Sequence, residues 1–544
     1  MTKAARAIIS GACLVSWRCA FLSDFDVRQC HSDEECVLRD EGVQHCELAR
    51  CVAGCASNRH CARVDPRLPI CPTRGGECAA LTTDDGSCSV VYDPANVANA
   101  EVTADAAILV GALLPSAKSS GWLSALMAAE ELASRGGLPD ASGLPRPLMT
   151  FMCEAATASM QTAIEHLVGN VGVRAIVADA DDRALALGLN LAQSRGSALF
   201  LTPHGSDLFS QGSSDDALWS LGAPGLAVKD AYRALVQDAV LSARQRLAQP
   251  QLLEVGMIVA PAREDILLAD AVSAELEVEG AGRDALLLED RLKRVDLVDD
   301  SPSQRALQLA ELAQRAPDLV LVFAGGRFDD IEGQPRAGVV SELEQMGASL
   351  GWQPLYLLGP RSVRDAALVR LAIADASFRS RAVVLSAERR PEPERLSTLT
   401  QSFRANFPRA GDGMGLDEGV YDAVYYLAYA LAAASQHGPV VTVDDVRRGL
   451  DVVTDPSGER VDVGAGAGGL ERALQLLADQ VAFDTHGSSG PARFDSGHSR
   501  ADLPSVSCWD GSGALRTIAT QSADTSAAFT RGQLPHPCGE EVLR

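Results

Sequence analysis

Polar and ionisable residues recur just past short apolar runs: Ser116 and Lys118, then Glu154, then Asp181, then Thr202, His204 and Ser206. Hydroxyls, carboxylates and an imidazole placed this way are groups that can orient a small polar ligand. Arg263, Arg327 and Asp329 follow apolar runs farther along. Each has a plainer use as a solvated loop charge or a helix N-cap, and Asp181 suits a cap as well as a ligand contact. Two catalytic-type patterns are weaker. Gly464-Ala465-Gly466-Ala467-Gly468-Gly469 has the glycines of a dinucleotide loop, with Asp484 near the ribose-binding distance. Only Val461-Asp462-Val463 precedes it, too short and polar for a central strand. Gly347-Ala348-Ser349-Leu350-Gly351 matches a nucleophile elbow, but it follows a helix and precedes a strand, the reverse of the required order. The histidines form no closely spaced metal pair. No catalytic residue, metal or cofactor is therefore expected, and an extracellular hydrolase is a distant alternative.

Nine of the 14 cysteines fall between Cys30 and Cys88. The spacing Cys30-x5-Cys36-x9-Cys46-x4-Cys51-x3-Cys55-x5-Cys61 lacks the paired C-x2-C arms of a structural zinc site, which favours disulfides in an oxidising compartment. Such a segment cannot bury enough apolar surface to fold alone and needs covalent staples. Nine is odd, so at least one of these cysteines is free or pairs outside the cluster. Cys508 and Cys538 are expected to pair with each other.

Lys3 and Arg6 precede a short apolar core from Ala7 to Trp17, the pattern of an export signal that is too short to span a membrane. Val15-Ser16-Trp17-Arg18-Cys19 resembles a bacterial lipoprotein signal in placing a cysteine just after that core, although Trp17 and Arg18 stand where small residues are usual. Cys19 is the first candidate for lipidation and Cys13 the second. The expected location is the periplasm or cell envelope, with any membrane tie made through this lipid. The formal net charge of -24 argues against a nucleic-acid partner.

The elements that position these residues follow from hydrophobic runs. The segments 107–111, 147–153, 173–178, 198–202, 255–259, 319–324 and 354–358 are short and predominantly apolar and predict strands buried on both faces. Amphipathic stretches of about 10 to 15 residues lie between them, which implies βαβ units and parallel sheets. A further strand at 381–386 and helices at 393–407 and 417–434 continue the array. The segment 454–469, rich in Gly and Asp, predicts a surface insertion.

Four motifs, in order, resemble the type I periplasmic binding proteins, the leucine/isoleucine/valine-binding family of ABC transporters. They are Glu130-Glu131-Leu132-Ala133-Ser134-Arg135-Gly136-Gly137 with Pro145-Arg146-Pro147, then Ala316-Pro317-Asp318-Leu319, then Gly419-Val420-Tyr421-Asp422-Ala423-Val424, and last Gly490-Pro491-Ala492-Arg493-Phe494-Asp495-Ser496-Gly497. Pro145 stands where the family's turn has glycine. The resemblance implies an α/β, two-lobed Venus-flytrap fold with parallel sheets and three crossovers, preceded by the disulfide-rich module. The expected division is signal peptide 1–19, cysteine-rich module 20–92, linker 93–105, lobe 1 at 106–224 and 381–484, lobe 2 at 225–380 and 485–520, and a tail at 521–544.

The resemblance also implies a small-molecule ligand held between the lobes, with an ABC permease or a sensor as partner. Thr202-Pro203-His204-Gly205-Ser206 fits the family's hydroxyl pair for an α-carboxylate. Ala180-Asp181-Asp182 stands where its first serine is expected, and an aspartate there repels a carboxylate. Two functions therefore follow as expectations: an exported solute-binding protein, or an envelope protein with a structural, sensory or interaction role that has lost amino-acid binding.

Overall fold

The computed structural model describes Cys30, residues 35–36, 44–47, 50–55, 58–71, 76–93 and 107–520. Within the last range it omits 117–118, 141, 157, 207, 209–215, 223–227, 248–251, 262, 298–301, 325–337, 361, 363–365, 387–392, 409, 411–414, 437–440, 465–467, 495–497, 500–504, 512 and 514. The signal region, Cys19 and Cys538 lie outside the described residues.

The chain forms two compact units, one made mostly of residues 1–81 and the other of 82–94 with nearly all of 107–544. The first is held covalently. Cys30 pairs with Cys46, Cys36 with Cys51, Cys55 with Cys71 and Cys61 with Cys78. Its buried apolar side chains among the described residues are Cys30, Cys36, Cys55, Cys61, Ile70 and Ala79, so half-cystines supply most of its apolar interior. The pairing reveals a tandem device: each half has cysteines spaced x5 then x9, with the first joined to the third and the second to the fourth.

Cys88 pairs outside the cluster, with Cys153. Both belong to the second unit, and so does the strand β1 (Val90–Tyr92). Residues 82–92, expected in the cysteine-rich module, thus fold with the α/β unit.

In that unit, β2 (Ile108–Leu114), β3 (Leu148–Glu154), β4 (Ala175–Ala178), β5 (Leu199–Thr202) and β6 (Leu218–Ser220) join β1 in one sheet of order β6-β5-β4-β2-β3-β1. All neighbours are parallel except β1 with β3. The second sheet holds β7 (Val255–Val259), β8 (Leu292–Asp296), β9 (Leu319–Phe323), β10 (Leu355–Leu358) and β11 (Ala382–Ser386), in the order β8-β7-β9-β10-β11. Continuous apolar strands suit both sheets because helices cover both faces. The longer helices among the described residues are α1 (Ser120–Ser134), α2 (Asp182–Arg195), α3 (Lys229–Leu247), α4 (Arg263–Ala274), α5 (Pro302–Arg315), α6 (Val339–Leu350), α7 (Ala366–Ala374), α8 (Pro393–Asn406), α9 (Glu418–Ser435), α10 (Val443–Val453) and α11 (Gly469–Ala478).

Late in the chain, β12 (Glu459–Asp462), β13 (Phe483–Gly487) and β14 (Gly490–Pro491) form a small sheet, and β15 (Ser505–Trp509) and β16 (Leu515–Thr520) extend the second sheet antiparallel from β11. The chain passes from the first lobe to the second between Gly222 and Val228, returns between Ser386 and Pro393, and passes over again between Ser499 and Ser505. Three crossings are what the two-lobed expectation requires, but two element placements differ from it. Residues 382–386 pair in the second sheet, and residues 485–499 pack on the first lobe.

The reason for the second difference is Asp422, a buried acid in the second turn of α9. Its Oδ1 accepts from the Ser488 N–H at 2.6 Å and hydroxyl at 2.8 Å, and its Oδ2 from the Ser489 N–H at 2.8 Å and hydroxyl at 2.7 Å. A Cβ on Gly487 would stand 2.3 Å from Asp422 Oδ2, so the β13–β14 turn needs glycine there. Tyr426, one helical turn on, donates to the Thr485 carbonyl and accepts from the Gly487 and Ala492 N–H groups. On another side of α9, the Tyr421 and Tyr425 hydroxyls both donate to Glu131 on α1. The first, third and fourth motifs singled out in the sequence are therefore one interlocked core.

Two other sequence expectations are settled by these elements. Segment 454–469 carries the edge strand β12 rather than a plain insertion, and β12 is the polar strand preceding the glycine run. Ser349 sits in the last turn of α6, its hydroxyl donating to the Met346 carbonyl, with Gly351 in a left-handed C-cap, so the G-x-S-x-G stretch ends a helix.

Candidate functional site

In the first sheet the strand order reverses beside β2, whose neighbours are β3 and β4. In open α/β sheets the crevice outside the carboxyl ends at such a reversal is where ligands bind. The chain gathers polar groups there. After β2, the Ser116 carbonyl accepts from the Ser119 N–H and hydroxyl, and Ser119 caps α1 by accepting from Trp122 N. After β4, the Asp179 N–H donates to the Leu113 carbonyl of β2, and Asp181 caps α2 by accepting from Ala184 N at 2.7 Å. After β5, Thr202 and Ser220 both donate their hydroxyls to the His204 carbonyl, at 2.8 and 3.0 Å. Asp417 caps α9 by accepting from Val420 N, while its own N–H donates to Ser124 of α1.

Three of these residues converge. His204 Nε2 lies 3.4 Å from Asp417 Oδ2 and 3.9 Å from Asp179 Oδ1, and one ligand-type atom from each residue lies within 4.8 Å of the others. Their side chains retain 14%, 12% and 20% exposure respectively, so the cluster is half-buried and reachable. Two glycines shape it. A Cβ on Gly419 would stand 2.8 Å from His204 Cε1 and from the Pro203 carbonyl oxygen, and one on Gly121 would stand 3.5 Å from Asp179 Oδ2. Backbone without side chains therefore forms part of the cluster's walls. Two carboxylates facing one imidazole make a place for positive charge, and the N-terminal ends of α1 and α9 offset only part of the negative charge.

The two-lobed α/β fold is shared with known structures. A solute-binding protein of an ABC transporter from Rhodopseudomonas palustris BisB5, in complex with 3,4-dihydroxybenzoic acid, superposes with a TM-score of 0.51 at 11% identity, covering 77% of this chain and 98% of its own. A fatty acid ABC transporter substrate-binding protein from Thermomonospora curvata gives 0.50 at 13% identity, covering 80% and 96%. A leucine-binding protein from Thermotoga maritima gives 0.49 at 11% identity, covering 77% and 99%. The fold is that of the type I periplasmic binding proteins. No family model matches the sequence, and no curated protein matches it.

Within the type I fold, the residues singled out from sequence have different places. His204 is in the cluster. Thr202 and Ser206 are both buried and their hydroxyls are used inside the lobe, Thr202 on the His204 carbonyl and Ser206 on Asp182 Oδ1 at 2.6 Å. Asp181 is a helix cap, and the acid that stands beside His204 is Asp179, two residues earlier. Glu154 ends β3, its N–H donating to the Ser87 carbonyl. Ser116 supports the turn into α1 through its carbonyl. Lys118, Arg327 and Asp329 lie outside the described residues. Cys508 on β15 is disulfide-bonded. Asp179 and Asp417 were missed from sequence, although each has a signal: one directly follows an apolar run, and the other directly precedes the Glu418-Gly419-Val420-Tyr421 helix start.

Proposed function

We propose that this chain is an exported solute-binding protein whose α/β unit captures a small polar ligand on the carboxyl edge of the first sheet, with the second lobe closing over it. The observation that carries the proposal is the convergence of Asp179, His204 and Asp417 at the strand-order reversal. That edge suits a ligand group bearing positive charge or several hydrogen-bond donors, because a lone carboxylate facing Asp179 and Asp417 would be repelled. Binding rather than catalysis is the chemistry proposed. Two of the fold neighbours named above were solved or described with an aromatic acid and fatty acids, which supports capture of small solutes in general and leaves the ligand class to this chain's own residues. A permease or sensor partner, and an envelope location through a lipid on Cys19, belong to the same proposal.

The second reading, a structural, sensory or interaction protein of the envelope, is favoured by one observation: the Thr202 and Ser206 hydroxyls are engaged within the lobe. A thermal-shift screen of the full chain against amines, amino acids, amides, sugars and aromatic acids separates the two. A ligand at about 100 times its Kd should stabilise the protein by about 2.7 kcal/mol. If no member of the screen raises the melting temperature, the interaction reading replaces solute capture.

A further inference from the structure

We infer that Asp179, His204 and Asp417 form a site for a divalent transition-metal cation of the zinc type. The inference rests on taking this edge as the ligand face, and it names the positive charge that the edge receives. An imidazole nitrogen and two carboxylate oxygens are suitable ligands for such an ion, at about 2.0 to 2.2 Å each. Donors placed tetrahedrally at that range stand roughly 3.3 to 3.6 Å apart. His204 Nε2 is 3.4 Å from Asp417 Oδ2 and 3.9 Å from Asp179 Oδ1. One pair thus has the spacing of a coordination edge, and the other needs to contract by only a few tenths of an ångström.

The surroundings position these donors through groups that are not themselves ligands. Thr202 and Ser220 hold the His204 carbonyl, and Gly419 packs against its ring. Asp417 is fixed by its cap to Val420 and by its N–H on Ser124. Asp179 is pinned through its N–H to β2 and lies beside Gly121. Preorganisation of this kind is what a second shell supplies to a metal site. Three protein donors leave a fourth position for water or for a group of the solute. Calcium and magnesium favour all-oxygen sets of six or more donors, which one imidazole and two carboxylates do not provide. The competing arrangement is an imidazolium held between the two acids, with no metal.

The test is calorimetric titration of the full, oxidised, chelator-treated chain with Zn²⁺ alone. One site per chain is expected, weaker by about 100-fold in His204→Gln, Asp179→Asn and Asp417→Asn, the last of which keeps a good helix cap. Binding should release protons and weaken as pH falls, because a proton competes with the metal for the imidazole nitrogen. X-ray absorption of the zinc-loaded wild type should show only nitrogen and oxygen neighbours, a readout independent of how the variants fold. Absence of saturable zinc binding, affinity unchanged in all three variants, sulfur ligation, or tighter binding of Ca²⁺ than of Zn²⁺ would each overturn the inference. Solutes that stabilise the protein without any zinc binding would leave solute capture standing and remove the metal, whereas zinc binding without any stabilising solute would do the reverse.

Discussion

Asp417 and Asp422 lie little more than one turn apart on the same helix start, yet their surroundings are opposite. Asp422 is fully buried and accepts four hydrogen bonds from two consecutive serines. Asp417 keeps part of its carboxylate exposed, caps α9 with one oxygen, and turns the other toward His204. Inside a protein a carboxylate is stable only when donors replace its hydration, and Asp422 has such a set. An acid at the rim needs less and can face an incoming group. The pair shows how one helix both locks the first lobe and carries an acid of the candidate site, and why a family-like motif centred on Asp422 can mark architecture without marking that site.

The sharpest way to break this comparison is Asp422→Ala. It leaves two N–H groups and two hydroxyls around a cavity without their acceptor, and removing one side of a buried charged network typically costs about 3 to 5 kcal/mol. Urea unfolding of the full chain should show a loss of that size, smaller in Asp422→Asn, which keeps one acceptor and the shape. A loss under about 1 kcal/mol would mean that the β13–β14 turn is held by other contacts.

Gly419→Ala should come next. Its Cβ would meet both the Pro203 carbonyl oxygen and His204 Cε1 at 2.8 Å, so the backbone at Pro203 and the imidazole must both shift. Overpacking of this kind costs about 1 to 3 kcal/mol. Binding of any ligand or metal at the cluster should weaken as well, whereas Gly121→Ala, with contacts of 3.3 Å or longer, should be milder in both. Equal effects of the two substitutions on binding would separate His204 from the site.

Asp417→Ala should cost only about 1 kcal/mol, the worth of an N-cap, and Asp417→Asn still less. Both should nevertheless reduce binding at the cluster more than Asp422→Asn does, measured by calorimetry with a ligand found in the thermal-shift screen. If Asp422→Asn has the larger effect on binding, rim and core roles are not divided between Asp417 and Asp422.

What the sequence disclosed follows the same division. Strands such as Val255–Val259 were legible to the residue because burial on both faces leaves no polar position to blur their ends. The polar edge strand Glu459–Asp462 and the short Leu218–Ser220 were missed, since neither has a run of apolar residues to announce it. Lobe limits failed where the chain crosses over, because Ala382–Ser386 reads alike in either sheet. The module boundary failed at Cys88, whose partner Cys153 lies far along the chain. A fragment begun near Ala100, which the strand pattern alone recommends, would therefore lack both β1 and one half of that disulfide. At the site, three acids at Asp179, Asp181 and Asp182 are interchangeable on paper. Only the geometry assigns one to His204, one to the α2 cap and one to Ser206. The tandem x5, x9 cysteine spacing was present in the sequence throughout and became visible once the pairing showed two matching halves.

The smallest expected effect tests how acids are stabilised without burial. Asp85 lies on the exposed turn leading to Cys88, where the Ser87 N–H and hydroxyl both donate to it, at 2.9 and 2.7 Å. These donors, led by the Ser87 N–H and helped by the Thr83 hydroxyl, hold its carboxyl down at about 2. Burial instead pushes Asp422 up, against the pull of Ser488 and Ser489. The two acids should therefore respond to pH with opposite signs. For Asp85, the folded state binds its proton less readily than the unfolded chain does, so its contribution is complete above the ordinary carboxylate value of about 4 and is lost as pH falls toward 2. For Asp422, the folded state takes up the proton first, so its contribution increases as pH falls through the raised value. Carboxyl-carbon NMR titration reads the two directions directly. Urea midpoints of wild type and Asp85→Asn should converge as pH falls from about 4 to about 2. A constant gap across that interval would show that the Asp85 turn contributes nothing that depends on its charge.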